Sequence, residues 1–268
     1  ILDKDNNRKG RPYMETTVHI NVPFNMLKDR LDFAKEHRLN PEIYFNSNTL
    51  DGLRPDEVEW VSNSLRNGGL SVTVHCPYMD LNPGARDGRV KEITQLRLIK
   101  TLEVARYFSP KVVVCHTGYS RWHYDSKVIT WLEGSLDTWE FLAQKAEELD
   151  IIIAIENVFE ESPDILSRLF RDINSSRFKL CFDIGHCYLF SEIPVREWLG
   201  LLGEQIIEFH LHDNHGNEDE HLPIGEGDID FDEFFSELNK FTRPPILTLE
   251  PHSEKLLWRS LEGLKGYL

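Results

Sequence analysis

The sequence predicts a single closed (β/α)₈ barrel. Three observations carry this. Eight short runs rich in β-branched and apolar residues recur from Thr16 to Glu250, amphipathic segments separate them, and the first run, "TTVHINVPFN", contains no glycine. Strands that are nearly continuous apolar runs belong to a parallel sheet covered on both faces, and eight strand–helix units are the number that closes such a sheet. An open doubly wound sheet binding a dinucleotide would place a glycine-rich turn after its first strand. This chain has none there.

The expected strands, in order, are residues 16–21 (TTVHIN), 41–45 (PEIYF), 70–75 (LSVTVH), 111–116 (KVVVCH), 151–156 (IIIAIE), 178–183 (FKLCFD), 206–212 (IIEFHLH) and 246–250 (ILTLE). Between them, Trp139, Leu142, Ala146 and Leu149, and later Leu257, Leu261, Leu264 and Leu268, recur every three to four residues. That spacing puts each set on one helical face turned toward the sheet. Asp230, followed by an acidic residue three positions on and an apolar periodic stretch, reads as a helix N-cap. Residues 1–13, "ILDKDNNRKGRPY", are polar and precede Met14. They are expected to be a flexible extension outside a barrel formed by residues 14–268.

Composition narrows the function. There are 45 acidic against 30 basic residues, a net charge of -15. Such a balance disfavours a broad footprint for nucleic acid or an anionic membrane and suits small ligands or cations. No run approaches the length of a membrane span, and the N-terminus has no apolar signal core, so a cytoplasmic protein is expected. The four cysteines lack zinc-type spacing and are read as reduced thiols. Cys115 and Cys181 are expected to point outward into the helix layer.

Barrel enzymes carry their chemistry at the C-terminal ends of the strands. At or near their C-terminal ends the third to eighth runs carry His75, His116, Glu156, Asp183, His210 and Glu250. One strand-end histidine is more often a packed, hydrogen-bonded residue. Six consecutive strands ending in ligand-type side chains point instead to a metal site. The loops add His186, three residues beyond Asp183, and Asp219 and His221 within "HLHDNHGNEDEHLPIGEGDIDF". Imidazole and carboxylate donors without thiolate suit zinc, manganese, cobalt or iron(II) and argue against magnesium or calcium alone.

The motifs "HCPY", "HTGY", "IENV", "FDIGH", "HLHDN", "DEHLPIGEGDID" and "LEP" resemble the xylose isomerase-like TIM-barrel superfamily, which includes sugar-phosphate isomerases and epimerases and the endonuclease IV enzymes. The resemblance runs from about His75 to the C-terminus. Endonuclease IV binds three zinc ions through nine side chains, and the matching positions here are His75, His116, Glu156, Asp183, His186, His210, Asp219, His221 and Glu250. The resemblance therefore implies a divalent transition metal (zinc, manganese or cobalt), one to three ions, and two chemistries. In the isomerase and epimerase branch, one metal held at Glu156, Asp183, His210 and Glu250 polarises a sugar or sugar-phosphate, while Glu156 and Glu250 move the proton. In the endonuclease branch, several metals cleave a phosphodiester, with abasic DNA as partner. The ligand count favours the second. The "HCPYMDLNPG" and "HDNHGNEDEH" wording and the acidic charge favour the first, which is the expectation adopted. Barrels of this kind also frequently form homo-oligomers.

Tyr78 and Tyr119, each three residues beyond a strand-end histidine, are candidates for stacking on substrate, with sealing of the barrel top as the competing role. Trp122, with His123 and Tyr124, is a candidate substrate wall. His19 on the first strand could reach substrate, although a packed histidine fits it better. His212 and His215 match no ligand of the family and are expected to lie behind the ligands or in solvent. Gly225 and Gly227 are expected to allow the tight path that brings Asp219 and His221 to the metals.

Overall fold

A computed structural model describes residues 16–125 and 127–268. The reading of residues 1–13 as an extension lies outside them. Eight parallel strands close into one barrel in sequence order: β1 (Val18–Pro23), β2 (Asn40–Tyr44), β3 (Thr73–His75), β4 (Val112–His116), β5 (Ile152–Glu156), β6 (Phe178–Asp183), β7 (Ile206–Leu211) and β8 (Ile246–Leu249). Each expected run overlaps one of these strands. β1 pairs with both β2 and β8, which completes the closure. No helix of the described residues is long and apolar enough to cross a membrane.

Side chains alternate across each strand with a period of two, and this parity divides the core. Outward residues such as Val113, Cys115, Ile153, Ile155, Phe182 and Phe209 pack under the helices, where Trp131, Trp139 and Trp198 are fully buried. The helix Val128–Leu149 supplies the first two of these from one face. Asp230 caps the helix Phe231–Leu238, its carboxylate accepting the Glu233 N–H at 2.8 Å. Such a cap satisfies a backbone donor that has no partner inside the helix.

Inside the barrel, Val112, Val114, Ala154 and Cys181 form a small apolar cluster. Cys181 thus faces inward, a correction to the expected outward direction. It stands two residues before Asp183, so the period of two gives both the same face. Cys115, adjacent to His116, does face the helices.

The opposite side of the same layer is polar: His19, Glu42, Thr73, Glu208 and Thr248 are all buried. His19 is held on both ring nitrogens, by Thr73 Oγ1 at 3.1 Å and Ser71 Oγ at 3.0 Å. Burial holds its pKa down to about 4, against the upward pull of Glu42. A histidine that stays neutral when folded contributes stability above its ordinary pKa of 6.5 and loses that contribution as the pH falls toward 4. The reason is that the unfolded chain takes the proton first. Between pH 7 and pH 5 the wild type should therefore lose roughly 2 kcal/mol more unfolding free energy than His19→Gln. Urea titrations of both proteins at the two pH values measure this; equal losses would refute it.

Candidate metal centre

The inward parity that buries Cys181 also aims the strand ends at one point. Glu156, at the end of β5, is the hub. Its Oε2 lies 3.0 Å from His75 Nε2, 3.2 Å from His116 Nε2 and 3.5 Å from His210 Nδ1, and its Oε1 lies 3.2 Å from His186 Nδ1. His210 Nδ1 is also 3.2 Å from Glu250 Oε1 and 3.9 Å from Asp183 Oδ2. On the loop side, Asp219 Oδ2 lies 3.4 Å from His186 Nε2 and 3.3 Å from His221 Nε2. All nine side chains expected as ligands therefore meet at the barrel mouth.

Tetrahedral bonds of about 2.0–2.1 Å set donor atoms roughly 3.3 Å apart, so spacings like these would suit groups that share a cation. The donors fall into overlapping sets that could hold metal ions: His75, His116 and Glu156; Glu156, Asp183 and His210; Asp183, His212 and Glu250; His186, Asp219 and His221 together with His212; and, deeper in the barrel, Glu42, Glu208 and His210. Asp183 Oδ2, His210 Nδ1 and both nitrogens of His212 are buried with no hydrogen-bond partner. Orphaned polar atoms of this kind are costly unless a cation completes them, so the residues fit the metal that the motifs imply.

Electrostatics agrees. Burial pushes the Glu156 carboxyl up, but the charges of His116 and His210 and hydrogen bonds from His116 and His186 hold it well below the usual carboxylate range. Burial likewise opposes charge on His186 and His210, but Asp183, Asp219 and Glu156 raise the first, and Cys181 followed by Glu250, Glu42 and Glu156 raises the second, both well above the usual imidazole range. The carboxylates keep protons on these rings, and a bound cation would displace them.

The long loop after β7 is built around Asp213. Its Oδ1 accepts the N–H groups of Asn214 (2.9 Å) and Ile229 (3.1 Å), and its Oδ2 those of Gly225 and Gly227, both at 2.9 Å. Gly225 has a φ of 84°, and a Cβ on Gly227 would collide with Asp213 Oδ1. Both glycines are therefore required by the turn. His221 itself adopts a left-handed φ of 50°, and its Nδ1 reaches the Glu250 carbonyl at 3.2 Å. That backbone region is uncommon for a residue with a side chain.

The structure adds residues that the nine-ligand set does not contain. His212 is buried with Nε2 3.2 Å from Asp183 Oδ1, while His215 is exposed and bonded to Glu220. A Cβ on Gly185 would run into the His212 ring, so the glycine of "FDIGH" makes its space. The ring stacks on His221 at 3.9 Å with planes 11° apart, and one ion cannot lie in two parallel ring planes. His212 therefore bears on Asp183 rather than completing the His221 set. Its signal in the sequence is its place two residues beyond His210. Glu42 and Glu208, buried below the ligands, follow the same parity in "PEIYF" and "IIEFHLH".

The mouth opens into a cavity of about 1140 Å³ lined by His75, His116, Glu156, His186, Asp219, His221 and Glu250, and by Tyr44, Tyr78 and Tyr119. Tyr78 stacks on His116 at 4.2 Å. Tyr119 is buried against Tyr124 and Trp131 as well as lining the cavity, so it also seals the top. His19 and Trp122 do not line it. Trp122 is 80% exposed beneath the Arg121 guanidinium, and His19 sits deeper in the barrel.

A closed eight-stranded parallel barrel with a ring of imidazole and carboxylate donors at its C-terminal mouth defines the class. Residues 40–267 match the family described as xylose isomerase-like TIM barrel, and the chain belongs to that family. An uncharacterized protein of Methanocaldococcus jannaschii, MJ1311, is 31% identical over 224 residues, which is 81% of this chain and 76% of that protein. Among solved structures, a D-tagatose 3-epimerase-like protein superimposes with a TM-score of 0.82 at 26% identity, over 94% of this chain and 97% of its own. The fold is shared by D-allulose 3-epimerase from Methylomonas sp., with a TM-score of 0.76 at 16% identity over 94% of this chain and 99% of that one.

Removing the Asp213 carboxylate leaves four backbone N–H groups without their acceptor. Asp213→Ala should cost on the order of 3 kcal/mol in unfolding free energy and expose residues 214–229 to proteolysis, whereas Asp213→Asn, which keeps one acceptor oxygen, should lose less. Denaturant titration with mapping of limited-proteolysis fragments checks this; an Ala variant as stable and as resistant as wild type would count against the loop's dependence on Asp213.

Proposed function

We propose that the chain is a divalent-metal-dependent isomerase or epimerase of an unphosphorylated sugar, with Glu156 and Glu250 transferring the proton. The observation that carries this reading is the pairing of those two carboxylates about one point: both lie within 3.5 Å of His210 Nδ1, from β5 and from the residue after β8. Those strands are three places apart around the barrel, so the two side chains approach a substrate carbon from different sides. The bound cation, held at Glu156, Asp183, His210 and Glu250, would supply polarisation of the substrate's carbonyl and hydroxyl oxygens. One glutamate then removes the proton adjacent to the carbonyl, and the other returns one to the opposite face or to the neighbouring carbon. Tyr78 and Tyr119 offer rings to the apolar C–H face of a sugar and limit water at the mouth. The similarity to a D-tagatose 3-epimerase-like protein supports the substrate class.

Charge separates sugar from sugar-phosphate. Among the described residues lining the cavity, Arg30 is the one lysine or arginine, and its guanidinium is 3.3 Å from Glu254 Oε2. A phosphate group would find no unpaired cation of that kind there, in a chain of net charge -15. Phosphate recognition ordinarily depends on such cations.

A second reading, hydrolysis of a phosphodiester such as abasic DNA, is favoured by the several overlapping donor sets, whose side chains outnumber the four a one-metal isomerase needs. The acidic surface and the cavity's lack of free lysine and arginine weigh against it.

Glu156→Gln and Glu250→Gln preserve shape while removing a base and an anionic ligand, so each should lower turnover by about 10² to 10⁴. A variant with its metal bound and near wild-type turnover would eliminate that glutamate as proton carrier. Exhaustive chelation should abolish activity and lower the melting temperature, with Mn²⁺ or Co²⁺ restoring both; unchanged activity and melting would exclude metal dependence. In assays offering ketoses, aldoses, their phosphates and duplex DNA with an abasic site, the unphosphorylated sugars should turn over. Catalytic incision of the DNA, lost in Asp219→Asn/His221→Ala along with one metal ion, would establish the second reading instead.

A further inference from the structure

Three histidines of the mouth have a backbone carbonyl beside Nδ1, although His186 Nδ1 also stands 3.2 Å from Glu156 Oε1. The Nδ1 atoms of His75, His186 and His221 are each engaged by a backbone carbonyl: that of Cys76 at 2.8 Å, of Asn157 at 3.1 Å and of Glu250 at 3.2 Å. A ring whose Nδ1–H donates to a carbonyl presents the lone pair of Nε2. Their Nε2 atoms accordingly point at Glu156 or Asp219.

His210 is turned the other way. Its Nδ1 faces Glu156 and Glu250, and its Nε2 points down the barrel to Glu42, 3.3 Å from Oε1 and 3.4 Å from Oε2. Glu42 has no exposure to solvent; Asn21 Nδ2 donates to its Oε1 at 2.7 Å, and Thr73 Oγ1 lies 3.4 Å from Oε2. Among the described residues no lysine or arginine pairs with it. A carboxylate this deep in a barrel carries a large desolvation cost, and the group that compensates it is the His210 ring.

We propose that Glu42 is a positioning residue of the metal centre: it accepts the His210 Nε2–H and thereby directs the Nδ1 lone pair into the Glu156, Asp183 and Glu250 donor set. This rests on the metal-dependent reading above. A carboxylate behind a ligating imidazole fixes the tautomer and the ring orientation and raises its basicity, and loss of such a partner typically costs about 10- to 100-fold in metal affinity. The inversion of His210 follows from its place. It stands two residues beyond Glu208 on β7, and the acceptor behind its Nε2 is the Glu42 carboxylate.

The test uses the full chain with Glu42→Leu and Glu42→Gln. Zn²⁺ and Co²⁺ affinities are measured by competition with a chromogenic chelator, and the loaded wild type, ¹⁵N-labelled at histidine and substituted with ¹¹³Cd, is read by long-range ¹H–¹⁵N correlation and ¹⁵N–¹¹³Cd coupling. Expected are Nδ1 ligation with a proton on Nε2 for His210, Nε2 ligation for the other bound rings, an affinity loss of about 10- to 100-fold in Glu42→Leu, and a loss below about 10-fold in Glu42→Gln, whose amide oxygen still accepts the Nε2–H. Ligation of His210 through Nε2, or a folded Glu42→Leu protein with wild-type affinity and only a lowered melting temperature, would overturn the proposal. Should Glu42→Leu fail to fold, the wild-type coupling pattern and the Glu42→Gln affinity decide alone. A wild type that takes up none of these metals would overturn the metal-dependent reading, and this inference with it, which distinguishes that failure from the others.

Discussion

Glu156 is the group on which the rest of the mouth depends. Four imidazoles lie within 3.5 Å of this one buried carboxylate. By itself it could not remain ionised away from water. Each histidine arrives from a different element: β3, β4, β7 and the helix Ile184–Phe190. The carboxylate favours the charged form of His75, His186 and His210, whereas burial lowers the pKa of His116, and the rings in turn hold the carboxylate ionised. Displacing any one strand end would strand charge in the interior, so the site and the closure of the barrel support each other.

The interior below the mouth is divided in the same spirit. Val112, Val114, Ala154 and Cys181 fill one side with apolar volume, while His19, Glu42, Thr73, Glu208 and Thr248 line the other with polar groups. Thr248 Oγ1 donates to Glu208, and burial together with the nearby Glu42 charge raises the Glu208 carboxyl to about 8, so it holds its proton near neutral pH. One charged and one protonated carboxyl then coexist beneath His210. Two carboxylates there would repel at close range in a medium that screens poorly.

The loop after β7 shows how a surface segment acquires the precision of a strand. Asp213, directly after the inward-facing His212, gathers backbone N–H groups from both ends of the loop, and the bridge between Asp213 and Leu222 ties its middle. Asp219 and His221 are thereby carried on a loop whose two sides are joined, not on a free excursion. The acidic and histidine-rich composition of that loop thus has two explanations: Asp219 and His221 face the candidate metal sets, while Glu220 pairs with His215 at the surface.

Eight runs of β-branched residues are sufficient for the barrel, because period-2 and period-3.6 patterns are local properties of the chain. Six of the nine donors are legible for the same reason: strand ends in a parallel barrel share one face, so residue type and position along the run carry the information, whereas His186, Asp219 and His221 lie off the strands and join the set through the resemblance of their motifs. Parity is also local, and applied correctly it places Cys181 with Asp183 and His212 with His210, against the expected outward thiol and the imidazole expected behind the ligands or in solvent. Ring orientation is not available from sequence. Whether His210 presents Nδ1 or Nε2, and whether His212 joins an ion or lies flat against His221, depends on which acceptor stands behind each ring, and those acceptors come from residues as distant as Glu42. The same holds for Tyr119, which both lines the cavity and seals it, and for Trp122, which faces away: side chains on loops are aimed by the packing of neighbouring loops, and only the closed tertiary structure determines that packing.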